Sequence, residues 1–64
     1  MNAGADFLRR IALRHNDHGA ELVRSALEAR SAGCRHLARQ FLRQATACRR
    51  RFLETLDLFG ELVA

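Results

Sequence analysis

The apolar residues of this chain form two stripes of three-four spacing, separated by one glycine-bearing stop, and that pattern leaves few folds open. The first stripe runs Leu8, Ile11, His15, His18, Leu22, Ala26 (or Ser25), Ala29. The second runs Cys34, Leu37, Phe41, Ala45, Cys48, Phe52, Leu56 (or Thr55), Phe59, Val63. Steps of three and four keep residues on one face of an α-helix. Between the stripes lies "RSAGC", residues 30 to 34. Gly33 suits the left-handed position after a helix end, and Ser31 or Ala32 would close the preceding turn. The expected fold is all-α: a single domain over residues 1–64, with helices at about 5–30 and 34–62.

The stripes also match each other. Folded back antiparallel, they set Leu8 opposite Thr55, Ile11 opposite Phe52, His15 opposite Cys48 and His18 opposite Ala45. Leu22 then meets Phe41, Ala26 meets Leu37 and Ala29 meets Cys34, about a turn at residues 31 and 32. Stop signal and stripe register agree on a two-helix antiparallel hairpin.

The first helix is in question at "RHNDHGAEL", residues 14 to 22. A continuous helix would carry a polar, small-residue layer at mid-height. A kink at 16–19 would instead let Asn16, Asp17 or His18 cap a fresh helix, with Glu21 as partner. Gly19 costs roughly 1 kcal/mol in a helix interior compared with Ala, which is the argument for a kink. At the start of the chain, Asp6 is a cap or a first-turn acid.

Composition agrees with helices. Proline is absent, and β-branched residues are limited to Ile11, Val23, Val63, Thr46 and Thr55. A chain of 64 residues buries only about 60% of its unfolded surface, so it needs a disulfide, a metal or a partner. Cys34 and Cys48 lie about 21 Å apart along one helix and cannot bridge within it. The start, "MNAGADFLRRIALRH", does not read as a signal peptide. No apolar run approaches the ~20 residues of a membrane span. A cytoplasmic setting is expected, with no membrane and no small-molecule substrate.

The apolar face is wider than one seam needs. Phe7, Leu13, Val23, Leu27, Leu42, Leu53, Leu58 and Leu62 flank the stripes. The last turns, "LDLFGELV", are expected to extend past the first helix. Left uncovered, they would form a patch of a size that soluble monomers rarely expose. A second hairpin would complete a four-helix bundle, most simply as a C2 homodimer; a larger protein partner would also serve. The expected contact residues are Leu8, Ile11, Leu22, Phe41, Phe52, Leu56, Phe59, Leu62 and Val63.

His15, His18 and Cys48 could supply two nitrogens and a thiolate to zinc. They could equally form a buried polar layer that fixes register. Cys48 beside a histidine could be an activated thiol, but a two-helix scaffold offers no oxyanion donor or cleft. The expectation is therefore no catalytic residue, no cofactor and no enzyme activity.

All eleven basic residues are arginine, which reads as genomic base composition, with a bacterial source expected. Seven of them lie from Arg30 to Arg51 without an acid, and three acids without a base follow from Phe52. Arg35, Arg39, Arg43 and Arg50 line one edge of the second helix, widened by Gln40, Gln44, Arg49 and Arg51. Such a rail can track RNA or DNA phosphates. No aromatic residue interleaves with it to stack on bases.

The stretch "DHGAELVRSAL", residues 17 to 27, resembles part of the second helix of the Rop RNA-binding regulators of plasmid copy number. Those regulators are also helical hairpins of this size that dimerise into four-helix bundles. The stretch covers about a sixth of the chain and lies in the first helix here, so no RNA-contacting residue carries over. The resemblance implies a dimeric four-helix bundle that binds RNA, for which the arginine row of the second helix would be the face. The residues themselves favour a small adaptor, anti-activator or co-chaperone type of regulator that acts through protein contacts.

Overall fold

The computed structural model describes residues 2–64 and consists of two helices, α1 (Ala3–Ser31) and α2 (Arg35–Val63), packed as a hairpin. Each is 29 residues long, about 44 Å at 1.5 Å per residue. The helices therefore match in length. Gly4 lies beside Leu62 near the open end, so "LDLFGELV" does not extend past α1 as expected. α1 starts earlier than Ala5 because the cap is Asn2, not Asp6. The Asn2 Oδ1 accepts from the Ala5 N–H at 3.1 Å, leaving Asp6 as the first-turn acid.

The stop lies where "RSAGC" put it. Ala32 closes α1, donating its N–H to the Glu28 carbonyl, and Gly33 follows at φ 82°. Glycine adopts that left-handed value without a Cβ penalty. The Cys34 N–H reaches back to the Ala29 carbonyl at 2.8 Å, and the Cys34 carbonyl accepts from Ala38 to open α2. The turn is centred on Gly33, beyond residues 31 and 32, and Cys34 is an exposed cap.

That displacement carries through the register. His18, not His15, meets Cys48, with Sγ and Nδ1 3.6 Å apart, and Gly19 also faces Cys48. The pairing is three positions from the expected one, nearly a full helical turn. The seam repeats every seven residues. In α1 it runs Ala5, Ala12, Gly19, Ala26, interleaved with Leu8, His15, Leu22, Ala29. In α2 it runs Ala38, Ala45, Phe52, Phe59, interleaved with Phe41, Cys48, Thr55, Leu62. All of these but Leu62 are buried or half-buried. A seven-residue repeat keeps one seam facing its partner along a gently supercoiled pair.

No kink occurs at 16–19: α1 is helical throughout. A Cβ at Gly19 would sit 3.4 Å from that of Cys48. That is ordinary contact, so a small residue fits there without separating the helices, and the glycine's helix-propensity cost is absorbed by the rest of α1. The seam is made mostly of small residues. Its buried members are six alanines, Leu22, Cys48 and Thr55. Thr55 satisfies its hydroxyl by donating to the Arg51 carbonyl at 2.7 Å.

Candidate interaction face

Small residues inside the hairpin leave the large ones outside. Eleven large apolar side chains are at least 40% exposed, whereas Leu22 is the only leucine, valine, isoleucine or phenylalanine in the buried set. Leu37 and Leu56, assigned to the inward stripes from the sequence, are among the exposed residues, and Ala38 and Thr55 take the buried places. Of the nine expected contact residues, Leu22 is buried, and Leu8, Ile11, Phe41, Phe52 and Phe59 are half-buried along the seam. Leu56, Leu62 and Val63 remain exposed.

The exposed apolar residues concentrate on one side. In an antiparallel pair, the position after each second seam residue lies on the same side of both helices. On α1 these positions are Arg9, Asn16, Val23 and Arg30, with Leu13 and Leu27 beside them. On α2 they are Leu42, Arg49, Leu56 and Val63, with Leu53 beside them. Val23, Leu42 and Leu53 share one groove across the two helices. Leu13 and Leu56 share the next, floored by Phe52 and Phe59. The opposite side carries Gly4, Ile11, His18 and Ser25 on α1 and Leu37, Gln44, Arg51 and Leu58 on α2, so only Leu37 and Leu58 are exposed large apolar residues at its corresponding positions. The hairpin is thus lopsided: seven of the eleven exposed large apolar residues, Leu13, Val23, Leu27, Leu42, Leu53, Leu56 and Val63, lie on one side.

The size of the molecule points the same way. The accessible surface is 5152 Å², whereas a compact 7.2 kDa monomer is expected at about 4,100 Å². The difference is close to the ~800 Å² that each partner contributes to an ordinary protein interface. The radius of gyration, 14.7 Å, also exceeds the ~11 Å of a compact chain of this length.

The other sequence candidates separate. His18 pairs with Cys48, but His15 lies half-buried in a groove with Asn16, Arg49 and Phe52. The three side chains do not converge, and no three His, Cys, Asp or Glu groups among the described residues are placed to hold a metal. No buried histidine layer forms among the described residues: His18 is exposed at the edge of the seam and touches the buried Cys48 from there, and His15 is half-buried. Cys48 is almost fully buried, while Cys34 is exposed at the turn. Arg35, Arg39, Arg43 and Arg50 are all exposed. They lie within about an 80° arc of α2 at 100° per residue. No helix among the described residues is long and apolar enough to cross a membrane.

No protein-family model matches the chain, and no curated protein or solved structure is significantly similar to it.

Proposed function

We propose that this chain is a small non-enzymatic helical interaction protein, an adaptor-type regulator. It works by packing its apolar face against helices of a protein partner, and two further helices on that face would complete a four-helix bundle. The observation that carries the reading is the inverted distribution of side chains. Alanines dominate the buried seam, and seven of the eleven exposed large apolar residues lie along one side. A patch of that kind on a short chain marks a contact site.

The test is association with the face intact and disrupted. The chain is measured by light scattering with helical probe peptides and by binding of an apolar dye. Wild type is expected to bind the dye and the probes, while Val23→Asp and Leu53→Asp lose both and stay helical by circular dichroism. A wild-type chain that ignores dye and probes and unfolds in one sharp transition overturns the proposal.

A second reading, RNA or DNA binding, draws support from the exposed row Arg35, Arg39, Arg43 and Arg50. Phosphate binding weakens steeply with salt, whereas apolar association does not. Reversing Arg39 and Arg43 to glutamate would abolish nucleic-acid binding and spare apolar packing.

A further inference from the structure

The grooves of the apolar face are punctuated by charge of one sign. Arg9 lines the groove that holds Leu13 and Leu56. Arg49 and Arg50 line the groove between Val23, Leu42 and Leu53. Arg30, Arg35 and Arg39 line the groove at the turn end, beside Leu42. No aspartate or glutamate lines any of the three. Asp6, in one column with Leu13 and Leu27 and beside Arg9 and Arg10, is the acid on this side; Glu54, Asp57 and Glu61 fall on the outer side of α2.

This arrangement disfavours a second copy. A twofold interface sets a patch against itself. Here it would set arginine-bearing grooves against arginine-bearing grooves, with Arg49 near the middle of α2 and so close to any axis through the centre of the face. Like charges brought together during desolvation oppose association. A nucleic acid would satisfy the arginines but leave the leucines between them uncovered.

We infer that the face takes a helix of a different protein, apolar along one stripe and acidic on both flanks of it. The inference rests on the protein-contact reading above and specifies the partner's chemistry. Leu42, Arg49, Leu56 and Val63 follow one another at seven-residue steps, about 10.5 Å apart along the axis. A helix lying alongside α2 presents residues at the same interval. Its apolar residues fill the grooves at Leu42–Val23–Leu53 and Leu13–Leu56. Its carboxylates meet Arg49 between those grooves and Arg9 and Arg39 toward the ends. Guanidinium and carboxylate pair bidentately, which fixes the register of the incoming helix.

The test uses the full chain and two synthetic helical peptides of about three heptads, both with leucine along one stripe. One carries glutamate on the flanks and the other lysine. Binding is read by fluorescence anisotropy at low and high salt. The glutamate peptide is expected to bind about tenfold or more tightly than the lysine peptide at low salt, and the gap should narrow as salt screens the charges. Arg9→Glu with Arg49→Glu should reverse the preference, while Leu53→Asp weakens both peptides.

Equal affinity for the two peptides overturns the partner chemistry and leaves the interaction face standing. A salt-insensitive dimer of the chain alone, split by Leu53→Asp and blocking the peptides, assigns the face to a second copy and overturns the inference. Displacement of the glutamate peptide by a short RNA assigns it to nucleic acid, with the same consequence. A wild-type chain that binds neither peptide and no dye overturns the interaction reading itself.

Discussion

Replacing Gly19 with alanine tests the seam at mid-height, opposite Cys48. The glycine lies at the middle of α1 and costs the helix roughly 1 kcal/mol relative to alanine. The new Cβ would meet the Cys48 Cβ at 3.4 Å and the Ala45 carbonyl oxygen at 3.9 Å. Those are contact distances, so α2 does not have to move. Gly19→Ala is therefore expected to stabilise the hairpin by about 0.5–1 kcal/mol, partly by restricting the unfolded chain. In a domain of this size, 1 kcal/mol shifts Tm by about 4–8 °C, so a rise of a few degrees is the expected result. The assay is thermal unfolding by far-UV circular dichroism, with helix content compared before the transition. Gly19→Leu has the opposite sign: its further carbons must enter space that Cys48 and Ala45 already fill, and overpacking costs about 1–3 kcal/mol. A lower Tm for Gly19→Ala, or equal tolerance of alanine and leucine, would refute a continuous α1 lying this close to Cys48.

Gly33→Ala should cost about 1 kcal/mol in the same melt, because φ 82° is strained for any residue with a Cβ. Leu22→Ala removes the one large residue of the buried cluster with Ala45 and Cys48. Its expected cost of 2–5 kcal/mol is comparable to the whole stability of a small hairpin, so helix content should fall at room temperature. Thiol titration with an aromatic disulfide should find one fast thiol per native chain, Cys34, and a second only on unfolding, because Cys48 is 2% exposed. Two fast thiols in the native chain would contradict the placement of Cys48 in the seam.

Helix number, direction and approximate bounds were legible because each has a strong local signal: the three-four spacing, the absence of proline and Gly33. The register was not legible, for a specific reason. The positions that set it in α1 are Ala5, Ala12, Gly19 and Ala26, whose side chains contribute little to an apolar pattern. A stripe drawn through the more conspicuous Ile11 and His18 drifts one position to the side of Ala12 and Gly19 and carries every pairing with it. In α2 the same bias favoured Leu37 over Ala38 and left Leu56 level with Thr55. The missed signal was the strict seven-residue recurrence of small residues, which a three-four stripe overlooks. The exposed face was legible in part. Leu13, Val23, Leu27, Leu42 and Leu53 stood out as flanks, but their gathering on one side depends on a register that the conspicuous residues obscured.

The same choice of small residues links stability to function. A seam of alanines gains close backbone approach but removes little apolar area from water, so it contributes little hydrophobic free energy. The side chains that could contribute more are held outside. A leucine left about half exposed retains about 1 kcal/mol of burial free energy that only a partner can realise. Summed along Leu13, Val23, Leu27, Leu42, Leu53 and Leu56, that reserve rivals the net stability of a small domain, about 5–15 kcal/mol. Whatever covers the face must then also stabilise the hairpin, since a ligand that binds only the folded form shifts the folding equilibrium by mass action. Enlarging the seam would uncouple the two. A bulky residue at Ala12 or Ala26 would separate the helices and draw the flanking leucines toward the gap between them, leaving less of the face to offer a partner.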